Sequence, residues 1–438
     1  MIATLGAFMQ ATAQGWLVLQ LTNSPGLLGV VGAVAGLPTL LLVVVAGVLA
    51  DRLDRRRLLA WGSWAGAVLA AILALLTTLG VVEYWQVALI ALLGGVVLTI
   101  QMPASQAVVS SIVDRTLLGS AIALNSAQYN LARIVGPSIA GLAIAAGGLA
   151  LGFWANAVAL VIVGFVISRL PIPPTRRSDR VAAALWGDLQ DGVRHVAADP
   201  ILATLVLLAA APALFVLSYL TFLPVYARDI LAVGAPGLGL LTGSIGVGAL
   251  AGALLMASRR PSGGSGRLIL VGLGAISLSL LTFALSRSLP VSMLALGVLG
   301  ASQVAYYSTT NTLLQTRVPP RLRGRVHSLY VLTSIGLLPI GNLGAGAIAE
   351  VAGVPAVLAV GAIVTLCAAI LAALLRPALR GLATGETALP RPALGPAAAA
   401  PGSERDSPVA LETLSAGTAS DETSDRSPTG PGTGAPDR

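Results

Sequence analysis

Long apolar runs broken by short polar segments dominate the chain. A membrane-spanning helix needs about 20 mostly apolar residues. Runs of that kind lie at 1–21, 27–50, 58–80, 86–107, 119–146, 150–170, 200–226, 236–258, 267–286, 290–312, 325–349 and 354–376. Residues 1–21 lack a basic start and are interrupted by Gln10, Gln14 and Gln20, so they read as a span and not as a cleavable leader. That span begins at Met1 with no polar lead-in, the pattern expected of a late start codon or a trimmed N-terminus.

The runs also repeat. Shifted by 205 residues, Val113, Leu117, Gly119, Leu124, Gly136, Gly141 and Gly148 fall on Val318, Leu322, Gly324, Leu329, Gly341, Gly346 and Gly353. Shifted by 211, Pro25, Gly26, Leu27 and Gly32 fall on Pro236, Gly237, Leu238 and Gly243. The expected fold is therefore an all-α membrane protein with twelve transmembrane helices in two pseudo-symmetric six-helix bundles, related by an axis along the membrane normal. Residues 1–170 form the N-terminal bundle and 200–376 the C-terminal one. Between them, 171–199 opens with Pro171, Pro173 and Pro174 and carries Leu185, Leu189, Val193 and Val196 at helical spacing, which predicts an amphipathic helix on the inner membrane face. Asp199 before Pro200 reads as an N-cap and first-turn pair opening the seventh span. From 377 to 438 the chain is rich in Ala, Gly, Pro, Ser and Thr, and a disordered cytoplasmic tail is expected.

Composition agrees with that layout and excludes others. The chain of 438 residues is 56% apolar and 10% charged, against about 25% charged in soluble domains. Soluble, collagen-like and disulfide-rich classes are excluded for its bulk. The one cysteine, Cys367, allows no internal disulfide. All 26 basic residues are arginine, which reads as a genome-composition bias such as that of a GC-rich bacterium. Residues 1–380 hold 22 arginines against 10 acids, and 381–438 hold 4 against 8. The arginines are scattered through short loops, which argues against a nucleic-acid surface and for contact with anionic headgroups. With the N-terminus inside, 19 arginines fall on cytoplasmic segments and 2, Arg228 and Arg287, on outer ones. By the positive-inside rule both termini are cytoplasmic.

The strongest local motif is Gly47-x-x-x-Asp51-Arg52-x-Asp54-Arg55-Arg56-Arg57, after the second span. Gly47 removes a side chain where helices pack closely. Asp51 at the membrane boundary can accept from a neighbouring helix N-terminus or pair with the arginines, forming a latch made in one conformation and broken in another. A plain positive-inside loop is the simpler alternative. The repeat of this loop, Ser258 to Arg267, has Ser262 where the acid would recur, so a one-sided latch is expected. The fifth span carries Arg133, Gly136, Pro137 and Gly141: proline frees a carbonyl and bends a helix, and the glycines allow close contact.

These residues resemble the major facilitator superfamily, whose loop signature is Gly-x-x-x-Asp-Arg-x-Gly-Arg-Arg; Gly47, Asp51, Arg52, Arg55 and Arg56 match it, and Asp54 stands in the usual glycine slot. Gln14-Gly-Trp-Leu-Val and the segment Gln315 to Arg325 resemble its secretion-effector and siderophore-exporter-like branch. The resemblance covers about 1–376 and implies a secondary transporter working by alternating access. In that superfamily a Gly-Pro motif in the fifth helix goes with antiporter-type exporters, so export of a small amphipathic metabolite, drug or siderophore is implied, with proton antiport as the coupling. An importer of the same fold, or a non-transporting sensor or scaffold, are the alternatives.

Arg133 is the one strongly placed intramembrane charge. Its burial costs roughly 2.5–3.5 kcal/mol on insertion scales, so it either faces a central path or snorkels to the inner interface. Gln10, Gln14, Gln101, Gln106, Asn130, Tyr219, Gln303, Tyr306, Tyr307 and Asn311 lie in the first, fourth, fifth, seventh and tenth spans, which line the path in the superfamily. They are candidate cavity residues, with inter-helix hydrogen bonding as the alternative role. No acid sits in mid-span. Asp51, Asp229 and Glu350 are the remaining titrating candidates, the last two reading more simply as solvated surface acids. There is no phosphate-binding Gly-x-x-x-x-Gly-Lys-Ser/Thr loop for ATP, and His195, His327 and Cys367 are too scattered for an enzyme site. No enzyme activity, cofactor or metal is expected. The expected partners are a small-molecule substrate, the lipid bilayer and protons, with no nucleic acid. The expected unit is a monomer in a bacterial plasma membrane.

Overall fold

A computed structural model describes residues 1–114, 117–170, 190, 192–258, 264–319 and 322–382. The first bundle comprises α1 (Ile2–Thr22), α2 (Pro25–Arg52), α3 (Arg55–Leu79), α4 (Tyr84–Ile112), α5 (Leu118–Gly147) and α6 (Leu149–Arg169). The second comprises α7 (Pro200–Ile230), α8 (Gly234–Ser258), α9 (Ser265–Leu285), α10 (Leu289–Arg317), α11 (Arg323–Ala352) and α12 (Val354–Leu375). Each is long enough to cross a bilayer at 1.5 Å per residue. Large apolar side chains face outward along them: Leu207, Leu254, Leu294 and Val351 are 64–91% exposed. That surface is tolerable only in hydrocarbon.

Neighbour relations repeat across the two halves. In the first, α1 packs on α5 and α6, α2 on α4, and α3 on α4 and α6. Adding six to each number gives the second half's pairs: α7 on α11 and α12, α8 on α10, and α9 on α10 and α12. The bundles meet along α2 with α11 and α5 with α8.

Turns and caps are set by local chemistry. Ser24 accepts from Leu27 N at the head of α2, with Pro25 in the first turn. Asp54, in the loop slot where glycine is usual, accepts from Arg56 N at 2.9 Å and Arg57 N at 3.3 Å. It caps α3, so a side chain starts the helix where a glycine would only permit the turn. Gly80, at φ 71°, ends α3 in the left-handed conformation. Two spans are broken. In α7, Pro212 and Pro224 each remove a backbone donor, and the helix interrupts at 216–218 and ends in a π turn over Tyr226–Ile230. In α11 a π turn over Leu332–Gly336 precedes Pro339.

Asp199 caps α7 as expected, accepting from Ile201 N at 2.8 Å and Leu202 N at 3.3 Å. It also accepts from Arg317 Nε at 3.1 Å, which ties the start of α7 to the end of α10. Burial works to raise its pKa, but the two backbone donors and Arg317 outweigh it and hold the carboxyl below its ordinary value. A carboxyl with a lowered folded-state pKa adds stability at neutral pH that disappears as acid protonates it. Asp199→Ala is expected to cost about 1 kcal/mol. The difference in thermal midpoint from the parent chain should shrink as pH falls below the ordinary carboxylate range.

Of the linker, only residue 190 and residues 192–199 are described. Residues 192–198 are helical, with Val196 buried and Val193 exposed, and Gly192 lies against Arg325. Leu185 and Leu189 lie outside the described residues. At the other end, residues 377–382, expected to belong to an unstructured tail, are ordered. Pro377–Gly381 form a 3₁₀ turn, Leu379 is 2% exposed, and Gly264 N and Gly266 N donate to Leu382 O at 3.2 and 3.4 Å. Truncation after Leu382 should leave membrane yield and thermal midpoint unchanged. Truncation after Arg376 should lower the midpoint, because it removes Leu379, whose burial alone contributes about 2 kcal/mol.

Candidate functional site

A cavity of about 800 Å³ lies between the bundles. The breaks in α7 and α11 help form it: Leu217 comes from the interruption of α7, Leu220 and Thr221 from the helical turn just after it, and Ile335 from the π turn of α11. Phe8, Thr12 and Gln14 of α1, Leu28, Val31 and Gly32 of α2, and Tyr129, Arg133 and Pro137 of α5 line the first-bundle side. Leu238, Thr242 and Ile245 of α8, with Gln303, Val304, Tyr307 and Ser308 of α10, complete the other.

Of the sequence candidates, Gln14, Arg133, Pro137, Gln303 and Tyr307 line this space. Others do not. Gln10 accepts from Asn156 Nδ2 at 2.6 Å, joining α1 to α6. Gln101 donates to Leu59 O at 3.0 Å, joining α4 to α3. Tyr219 and Tyr306 are fully buried beside the cavity and do not line it. Asn311 accepts from Gln315 Nε2 at 3.0 Å, towards the arginine-rich end of α10. The side chains of Gln106 and Asn130 lie outside the described residues. Helices α2 and α8, not singled out from sequence, supply much of the wall through Leu28, Val31, Gly32, Ala35, Leu238, Thr242 and Ile245, and α11 adds Ile335; apart from Thr242 these residues carry no polar signal.

The fifth-span motif divides among three surroundings. A Cβ on Gly136 would stand 2.8 Å from Phe8 Cβ, so Gly136 admits α1. A Cβ on Gly141 would stand 2.6 Å from Ala235 O, so Gly141 admits α8. Pro137 and Arg133 face the cavity. In the loop motif, Arg56 Nη2 donates to Ser168 O at the end of α6, a cation on the negative end of a helix. Arg55 is partly buried and engaged. The side chains of Asp51 and Arg52 lie outside the described residues. Among described residues nothing comes within 4 Å of a Cβ built on Gly47.

The arginine-poor end is closed. On α2, Gly29 meets Gly346 of α11 so closely that a Cβ would stand 2.7 Å from Gly346 Cα and 2.7 Å from Asn342 O. On α8, Gly239 lies against Pro137 and Ser138 of α5, with Ser138 Oγ donating to Gly239 O at 3.4 Å. Two charges clamp the α1–α2 turn from the opposite bundle. Glu350 Oε2 accepts from Ser24 Oγ and Gly26 N, both at 2.8 Å, at the positive end of α2. Arg228 Nη1 donates to Leu19 O at 2.9 Å and Asn23 Oδ1 at 2.8 Å, at the negative end of α1, while Asp229 holds its other nitrogens. Glu350 and Asp229 are exposed, as read from sequence, yet Glu350 makes one inter-bundle contact and Asp229 holds the arginine that makes the other.

The family model for transmembrane secretion effectors matches residues 1–395. A relative named multidrug efflux pump Tap, from Mycolicibacterium fortuitum, is 28% identical over 78% of this chain and 85% of its own. One named enterobactin exporter EntS, from Shigella flexneri, is 28% identical over 69% of this chain and 73% of its own. A solved D-xylose–proton symporter superposes with TM-score 0.66 at 15% identity, over 85% of this chain and 95% of that one, which shows the fold. With its repeated six-helix packing and a family match that covers all twelve of its spans, the chain belongs to the transmembrane secretion effector family of the major facilitator superfamily.

Proposed function

We propose that this chain is a secondary carrier that exports a small amphipathic solute across the bacterial plasma membrane by alternating access. The observation that carries the reading is the large cavity between two bundles whose arginine-poor ends are packed together. The bias of 19 arginines to 2 supports an arginine-rich end, and both termini, in the cytoplasm. The conformation described is then closed outward and suited to loading from inside. Export is favoured by the relatives named for drug efflux and for enterobactin export. Protons are the proposed counter-ion and a monomer the proposed unit. Asp51, with Arg52, Arg55 and Arg56, is the proposed inner latch for the opposite conformation.

Counterflow in proteoliposomes tests this. Vesicles preloaded with an amphipathic dye should transiently concentrate the same labelled dye from outside, and no exchange across a panel of such dyes would sink the reading. Asp51→Asn should cut the exchange rate about tenfold, the effect of roughly 1.4 kcal/mol on one step, while membrane insertion stays intact.

A further inference from the structure

Arg133 is the one charged residue lining the cavity, and no acid shares that wall among the described residues. It stands fifteen residues into α5 from Leu118, about 22 Å along the helix at 1.5 Å per residue, too far for its side chain to reach the arginine-rich end. Its neighbouring polar atoms are the phenols of Tyr219 and Tyr307, with Tyr219 in side-chain hydrogen-bonding range of the guanidinium. Around it other polar groups are unpartnered among the described residues. Gln303, 5% exposed, has no acceptor for Nε2, and the Tyr307 hydroxyl has no partner. By contrast the lining hydroxyls of Thr12 and Thr242 already donate to their own helices, at 2.9 and 2.8 Å. Among the polar groups that line the cavity Arg133 is therefore the one charge, and no acid among the described residues neutralises it. Such a charge is rarely left uncompensated in a buried site, and what it lacks is a charged acceptor. The facing walls, Phe8, Leu28, Leu217, Leu220 and Ile245, are apolar.

We propose that this cavity binds a compact amphipathic anion, its oxyanion group held by Arg133 and Gln303 and its apolar body by those walls. A guanidinium in a low-dielectric site without a counter-charge discriminates strongly by ligand charge, and its planar fork fits a carboxylate or similar oxyanion. A cavity of about 800 Å³ falls in the range that encloses drug-sized molecules. The assignment rests on the carrier reading above, yet it concerns ligand charge and can fail while that reading stands.

The test uses one fluorescent scaffold in three forms: a carboxylate, its neutral methyl ester and a cationic amine. Binding to the purified full chain is read by fluorescence polarisation, and thermal stabilisation by each probe gives a second measure. The carboxylate should bind about tenfold or more tightly than the ester, the scale of one charge-assisted hydrogen bond, and the amine most weakly. Arg133→Gln should bring the carboxylate down to the ester's affinity and leave the ester unchanged, and Arg133→Lys should keep part of the preference. Equal binding of carboxylate and ester, no binding of any form, or an Arg133→Gln loss shared equally by all three would overturn the proposal. Counterflow of the neutral ester, run in parallel, reports on the carrier reading by itself: exchange of the ester with no charge preference defeats the anion site alone.

Discussion

Gly29→Leu is expected to abolish counterflow while the protein still inserts and folds. The reason is geometric. At this crossing even a Cβ would stand 2.7 Å from Asn342 O and from Gly346 Cα, and both are backbone atoms that no rotamer change can move aside. The helices must separate, and only the conformation closed at this end suffers. Overpacking of this kind costs typically 1–3 kcal/mol, so Gly29→Ala should already shift the balance between the two conformations by roughly 5- to 150-fold. Alanine also gains about 1 kcal/mol of helix propensity over glycine, but it gains that in both conformations and the balance is untouched. Leucine adds three carbons to the same gap and should leave the outward-open form dominant. A cysteine placed at the mouth of the cavity on the arginine-poor side should then become reactive to an impermeant maleimide. Unchanged labelling with normal counterflow would show that the α2–α11 crossing does not open during transport.

The sequence carried the architecture more fully than the site, for a physical reason. Crossing hydrocarbon forces about 20 apolar residues per helix, so the spans were visible one by one, and the 205- and 211-residue offsets survived in glycines that helix contacts require. Gln10, Gln14, Gln101 and Gln303 looked alike in sequence, each an amide in an apolar run. Their roles depend on how each helix is rotated against its neighbours. Two join helices and two line the cavity, and a helix apolar on all sides gives no stripe from which to read that rotation. The clamp was hidden for a different reason. Glu350 and Arg228 act through the ends of helices 326 and 205 or more residues away, and nothing in their own surroundings marks them off from surface charges. Asp54 shows the reverse case, an apparent departure from the loop signature that supplies a helix cap.

The clamp makes the complementary prediction to Gly29. Removing both charges with the pair Arg228→Ala and Glu350→Ala should ease opening of the arginine-poor end, without introducing a clash. Each contact is partly exposed, Arg228 with 26% of its side chain accessible, so each is expected to contribute only about 0.3–1 kcal/mol, as charges at helix ends do. The two sit on different helix ends with no shared atom and should add nearly independently. Together they should shift the conformational balance about tenfold, since each 1.4 kcal/mol is a factor of ten. High salt should imitate the variant by screening both contacts. Because both conformations keep their apolar packing, the thermal midpoint should barely move while maleimide labelling at the outer mouth rises. Asp229→Ala separates the two halves of the clamp: it frees the guanidinium from its own neighbour and should strengthen, not weaken, the grip of Arg228 on the end of α1. If instead the double variant lowers the midpoint with no gain in labelling, these charges hold the fold together and do not gate it.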